Sequence, residues 1–304
     1  MYGTTQQYLY ARAYQLTLGP QAGGQGLQYG NIAGTTSALR ISFNIDKPAV
    51  GCPNKGTVTL YNLSQSNRTA LVQGYRLTLD AGYQGMVERV LFGKVWKVTT
   101  KREGPDIATT LEVIDGLESL MYAVLDRPYP PGTTLAQVLA DVAKAMQALP
   151  GVVLGLPAKT FPRGLTVHGL CRDTLRRLLQ PLGLEASLSN GRLNILPKHA
   201  HLGSAAIVLS PRTGLLGVPN VSFTSTDFTA LLNPKLVPGQ LVQLVTANTN
   251  TSGFFKIRSA KLQGDTHAGN WQVSCQGVQL ANALQDLKPA RGFEYGQAVV
   301  PGLV

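Results

Sequence analysis

Apolar and polar residues alternate without a miss along Leu39-Arg-Ile-Ser-Phe-Asn-Ile45. A period of two sends one face of a strand into a core and the other into water. Arg76-Leu-Thr-Leu-Asp-Ala-Gly-Tyr83 repeats the alternation, and strands are predicted from Val87 to Lys101 and from Thr109 to Asp115, separated by the turn-like Glu103-Gly-Pro-Asp106. One short helix interrupts them after Asn62-Leu-Ser64, where the Ser64 hydroxyl can accept an orphan backbone N–H.

The period changes near residue 116. Leu135, Val138, Leu139, Val142, Ala143 and Met146 fall on one stripe of a helix begun by Thr133 or Thr134. A second stripe, Leu175, Leu178, Leu179 and Leu182, ends at Gly183, a residue type suited to a left-handed cap. Leu184–Leu188 and Arg192–Leu196 then flank Ser189-Asn190-Gly191, a strong hairpin signal. This reads as a small α+β unit. Strands resume near Ala205, the clearest being Gly239–Val245, Gly253–Leu262 and Asn270–Gln276, and the last 25 residues read as a weakly anchored tail.

The two strand-rich regions echo each other. Gly74–Leu79, Phe92–Val98 and Thr110–Val113 in the first match Gly239–Leu244, Ser252–Arg258 and Trp271–Ser274 in the second, in the same order. That order suggests one barrel type used twice, with the α+β unit between the copies. Gly-bounded alternating strands also recur by chance, so the sequence leaves duplication open. The expected fold class is mainly β with an α+β insertion: two tube-type β-barrels flanking a small α+β domain. The boundaries are 1–118, 119–200 and 201–285, with a tail at 286–304.

Composition narrows the function. The 304 residues are 44% hydrophobic but only 14% charged, which excludes a disordered chain or a coiled coil. The net charge of +11 is uneven: residues 1–126 hold 11 Lys/Arg against 9 Asp/Glu, and residues 127–304 hold 16 against 7. Such an excess attracts polyanions in a salt-dependent way. Yet Lys101-Arg102 and Arg176-Arg177 are the sole adjacent basic pairs, and no basic stripe is interleaved with aromatics. Cys52, Cys171 and Cys275 lie over a hundred residues apart, so reduced thiols are expected. No apolar run is long enough to span a bilayer, and the N-terminus has no signal-peptide pattern, so no membrane anchor is expected.

Candidate chemistry is sparse. The Gly-rich run Gly23–Gly30 lacks the Lys-Ser/Thr of a phosphate-binding loop and reads as a mobile loop. His199-x-His201 has no third ligand nearby. His168 and Cys171 lack a third partner, and Cys171 opens a Leu-rich helix where small buried residues are common. Asp115 and Glu118 lie one helical turn apart, but Asp115 reads as a helix start. No catalytic residue, cofactor or metal is expected.

The order Tyr61-Asn-Leu-Ser64, Ala81-Gly-Tyr83, Leu91-Phe-Gly-Lys-Val95 and Leu111-Glu-Val-Ile-Asp-Gly116 resembles the N-terminal region of tailed-phage baseplate hub proteins. That family includes the T-even and Mu-like hubs and is related to the hub part of type VI secretion spikes. Thr134–Val138, Val167-His-Gly169 and Asn190–Lys198 resemble the family's middle segment, and Pro238-Gly239 with Gly253–Ile257 its second barrel.

The resemblance implies a structural homotrimer in the virion tail baseplate, made in the host bacterial cytoplasm. Six similar barrels from three chains would adapt a sixfold tail tube, or a tube initiator, above to a threefold spike below. Other baseplate proteins would lie at the periphery, and viral DNA would pass transiently through the lumen. Channel faces must be polar and non-adhesive, and Lys94, Lys256 and Arg258 are the candidates for such a face. The rivals are a tail-associated cell-wall hydrolase and a basic nucleic-acid-binding protein. A hub fused to a needle is not expected, because the chain ends soon after its second barrel.

Overall fold

Period-two alternation does form the first set of strands: β1 (Arg12–Gly19), β2 (Leu27–Gly30), β3 (Ile41–Lys47), β4 (Lys55–Tyr61), β5 (Arg76–Tyr83), β6 (Met86–Glu103) and β7 (Asp106–Ile114). The architecture is that of a computed structural model, which describes residues 11–20, 26–32, 37–48, 53–71, 74–197, 200–222, 225–247, 251–267 and 269–279. Helix α1 (Gln65–Ala70) starts where Ser64 predicted, its hydroxyl accepting the Asn67 N–H at 3.3 Å. The Gly-rich run departs from expectation. Leu27–Gly30 is not a loop but a strand on β1, held because Tyr29 is buried and its hydroxyl accepts a hydrogen bond from Asn67. Residues 23–25 of that run, Cys52, His199 and residues 280–304 lie outside the described set.

The chain then forms α2 (Leu117–Met121), β8 (Arg127–Tyr129), β9 (Thr133–Thr134), α3 (Leu135–Ala145), β10 (Leu149–Val153), β11 (Thr160–Phe161), β12 (Leu165–Val167), α4 (Cys171–Leu179), a 3-10 turn at Gln180–Leu182, β13 (Leu184–Ser189) and β14 (Arg192–Pro197). Thr134 caps α3 through a full capping box with Gln137, satisfying two backbone donors at once. Gly183 ends the second helical segment at φ 67°, and Asn190-Gly191 turns the hairpin with φ 52° and 74°. Those positive values at both central residues are what an Asn-Gly turn needs. Leu135, Val138, Leu139, Val142, Leu175 and Leu179 pack with Leu184, Leu193 and Ile195 in this unit's own core.

The last set is β15 (Leu202–Leu209), β16 (Leu215–Val221), β17 (Thr226–Leu231), β18 (Gln240–Leu244), β19 (Gly253–Asp265) and β20 (Trp271–Gln279). The chain divides into two compact units: residues 1–48, 55–114 and 203–280 form one, and 49–54, 115–202 and 281–304 the other. The first unit is therefore discontinuous, and the second is an α+β insertion into it. The protein is mainly β.

Within the β unit the two sets of strands have one topology. The first runs β3-β4-β7-β6-β5-β1, and the last runs β16-β17-β20-β19-β18-β15. The match extends to single residues. Strand β6 carries a bulge between Val95 and Lys97 against β7, and β19 carries one between Ile257 and Ser259 against β20. The Gly74 N–H donates to the Val95 carbonyl at 2.9 Å and the Gly239 N–H to the Ile257 carbonyl at 2.8 Å, and both glycines sit at φ 92°. Thr59 and Thr110 share a hydroxyl–hydroxyl hydrogen bond of 3.1 Å across β4 and β7, as Thr229 and Ser274 do at 3.2 Å across β17 and β20.

The two sets join edge to edge. β3 pairs with the C-terminal half of β19, Ala260 opposite Lys47 through Asp265 opposite Ser42, so one sheet continues through both. Ile41, Phe43 and Ile45 on β3 and Leu262 on β19 lie in one core with Leu60, Leu79, Leu111, Ile257 and Val273. Polar links reinforce the seam. Arg40 pairs with Asp265 at 3.0 Å, the Arg12 guanidinium donates to the Asp265 carbonyl, and the Trp271 indole N–H donates to the Gly82 carbonyl at 3.1 Å.

Candidate functional site

Directly opposed residues of antiparallel strands share a face, so the register identifies what the sheet presents on the side away from its core. One row runs Thr229, Ser274, Lys261, Asp46, Lys55, Ile114, Lys94 and Arg76 across eight successive strands. A second runs Gln272, Gln263, Asn44, Thr57, Glu112 and Lys97. A third runs Asp265, Ser42, Thr59, Thr110 and Thr99. None of these residues is buried. The face is thus a wall of hydroxyls, amides and charges of both signs.

Over β19, β3 and β4, and again over β7 and β6, acids and bases alternate. Asp46 lies between Lys261 and Lys55, and Lys97 pairs with Glu112 at 3.2 Å with both side chains about half exposed. Such exposed pairs contribute only about 0–1 kcal/mol each. Their larger effect is on the local field, which they weaken wherever an acid stands beside a base; Arg76 and Lys94, by contrast, oppose each other on β5 and β6. A polyanion meeting this face finds hydrogen-bonding groups without a continuous basic track.

The predicted residues lie on the side of the sheet away from the core. Lys94 is half-buried, between Arg76 on β5 and Ile114 on β7. Lys256 is half-buried between Leu241 on β18 and Val278 on β20. The two lysines hold equivalent positions in the two strand sets, each two residues before the bulge residue. Arg258 is itself the exposed bulge residue of β19, and its counterpart on β6 is the exposed Trp96. Sequence reasoning missed the rest of the wall, because Thr, Ser and Gln at alternate positions read only as the wet side of a strand.

An open groove of about 600 Å³ runs along this face where β16 rises beside β17, β20, β19 and β3. Its two carboxylates, Asp46 and Asp227, stand on β3 and β17, three strand spacings or about 14 Å apart. Paired acids of glycoside hydrolysis stand roughly 5–9.5 Å apart. Beneath the groove, burial pushes the Cys275 thiol well above its ordinary range, which keeps it protonated and unreactive.

In the inserted unit, Cys171 is fully buried and burial raises its thiol also, while His168 is exposed and meets Asp126 at 2.6 Å. The two do not form a catalytic pair. Asp115 does more than start a helix: buried, it accepts hydrogen bonds from the Asn54 amide at 2.9 Å and the Asn190 N–H at 2.7 Å, tying the hairpin turn to the strand-entry segment. Among the described residues no group of three or more potential metal ligands converges, and no helix is long and apolar enough to cross a membrane.

No family model matches the chain, and no curated protein matches it in sequence. Solved structures do. A 43 kDa tail protein of prophage MuSo2 from Shewanella oneidensis matches with a TM-score of 0.62 at 14% identity, over 87% of this chain and 96% of that one. A tail protein from Neisseria meningitidis matches with a TM-score of 0.61 at 11% identity, over 90% and 98%. An Escherichia coli type VI secretion component, described as similar to the T4 tail proteins gp27 and gp5, matches at 0.59 and 11%, over 89% and 80%. The chain has the fold of phage tail proteins and of this type VI component.

Proposed function

We propose that this protein is a structural hub subunit of a phage-type tail baseplate, three copies of which form a ring between a sixfold tube and a threefold spike. The observation that carries the reading is the repeated strand topology in one chain. Two like sheets per chain give three chains six like sheets, which is what a threefold object needs to present a sixfold surface. The two sets act as two tube-type barrels, and other baseplate proteins lie at the periphery. A tube or tube-initiator protein stacks above, and a spike binds below.

The polar wall lines the lumen, with Lys94, Lys256 and Arg258 among its basic groups. DNA in transit must not bind tightly, and a face that mixes acids, hydroxyls and amides with its bases favours that condition. The role is mechanical rather than catalytic. The wide separation of Asp46 and Asp227, the inert buried thiols and the phage-tail fold all support that reading over a cell-wall hydrolase.

Native mass measurement of the 304-residue chain, alone and with a spike partner, tests this directly. The expected species is three copies of the 32.4 kDa chain. A chain that stays monomeric with its partners present contradicts the proposal.

A further inference from the structure

The two strand sets are equivalent in topology but not in what covers them. The N-terminal half of β19 pairs with β18, and its C-terminal half, Ala260 to Asp265, pairs with β3. The N-terminal part of β6 pairs with β5 in the same way, as far as Lys94. Its C-terminal half, Val98 to Glu103, has β7 on one side and, among the described residues, no strand on the other. Where β3 covers β19, Leu262 is fully buried; its counterpart Thr100 is exposed, as are Lys101, Arg102 and Glu103.

The missing neighbour has an equally bare counterpart. By topology the strand equivalent to β3 is β16, and β16 ends the sheet with one edge unpaired among the described residues. It is also apolar: Leu216, Val218 and Val221 are exposed, Val218 to 81%. Exposed Trp96 stands at the bulge where the bare half of β6 begins. β16 is irregular against β17 between Leu216 and Asn220, a stretch that holds Pro219, so its regular segment for pairing begins at Asn220, and the complementary edge lies on the same sequence.

The geometry points to β16 of one chain pairing antiparallel with the C-terminal half of β6 on a second copy, reproducing between chains the β3–β19 seam within each. The register follows from the seam. Gln263 opposes Asn44 and Leu262 opposes Ile45 within the chain, and the equivalent positions place Lys101 opposite Asn220 and Thr100 opposite Val221 of the neighbour. The contact joins two different surfaces, so it is head-to-tail and closes into a ring when the rotation allows. The run β16-β17-β20-β19-β3-β4-β7-β6 then continues into β16 of the next copy, and the polar wall becomes unbroken. This inference rests on the trimer reading and adds which edges make it.

Cysteine cross-linking tests it on the whole 304-residue chain. Cross-strand Cα spacing of about 4.5–5.5 Å falls within disulfide reach. In a Cys52→Ser background, Lys101→Cys with Asn220→Cys should convert most of the protein to interchain disulfide-linked trimers on mild oxidation. Either substitution alone should yield none, and Gln28→Cys with Asn220→Cys, which moves one thiol to the edge strand β2, should also yield none. A native trimer in which the Lys101–Asn220 pair stays unlinked, or in which the Gln28 pair links instead, overturns this pairing and leaves the trimer intact. A monomer at every concentration overturns both.

Discussion

The two strand sets of the β unit share an order, a bulge, a left-handed glycine and a hydroxyl pair, yet one is sealed and the other open. β19 is covered by β3, and Leu262 there is fully buried. β6 ends in an exposed basic half-strand carrying Lys97, Lys101 and Arg102. A repeated topology with one seam closed inside the chain leaves the equivalent edges, β16 and the C-terminal half of β6, without a strand partner among the described residues.

The sharpest way to break that comparison is to substitute the paired positions. Leu262→Ala should cost about 2–5 kcal/mol in denaturant unfolding, because it leaves a cavity at the seam. Thr100→Ala at the equivalent position of the open half should stay within about 0.5 kcal/mol for the unassembled chain. Equal costs would mean that the two halves are not in different environments.

Next come the matched glycines. Gly74→Ala and Gly239→Ala each force a side chain into φ 92°, and each should lose about 1–2 kcal/mol, read as similar drops in unfolding midpoint. A large inequality would show that the two turns do different work. The inserted unit provides a contrast in its pH response. Tyr129 has its hydroxyl pushed up to about 12 by burial and by its hydrogen bond to Asp141. Its ordinary value is about 10, so its contribution is complete below pH 10 and is lost as the pH rises toward 12. Tyr129→Phe should flatten that alkaline limb. The smallest effects belong to the hydroxyl pairs: Thr59→Val and Thr229→Val should each shift stability by about 0.5 kcal/mol.

Much of this architecture was legible in the chain. Alternation located β3, β5 and β6, the stripe from Leu135 located α3 with its Thr134 cap, and Asn190-Gly191 located its hairpin. The echo of Gly74 in Gly239 was visible because a left-handed turn position must be glycine in both copies. The seam between β3 and β19 was not legible, since pairing across more than two hundred residues leaves only two ordinary alternating strands. β2 was missed because four glycines around it outweigh the two apolar residues, Leu27 and Tyr29, that hold it. Of the candidate site, Lys94 and Lys256 were picked out separately, and their equivalence emerged only once both bulges were located.

Electron-microscope imaging of the purified assembly, viewed down its axis, tests the central claim most directly. The account predicts a closed ring of six similar lobes built from three chains, with threefold symmetry appearing only in the inserted α+β units. A ring whose lobes equal its chains in number, or an open fibre, would contradict it.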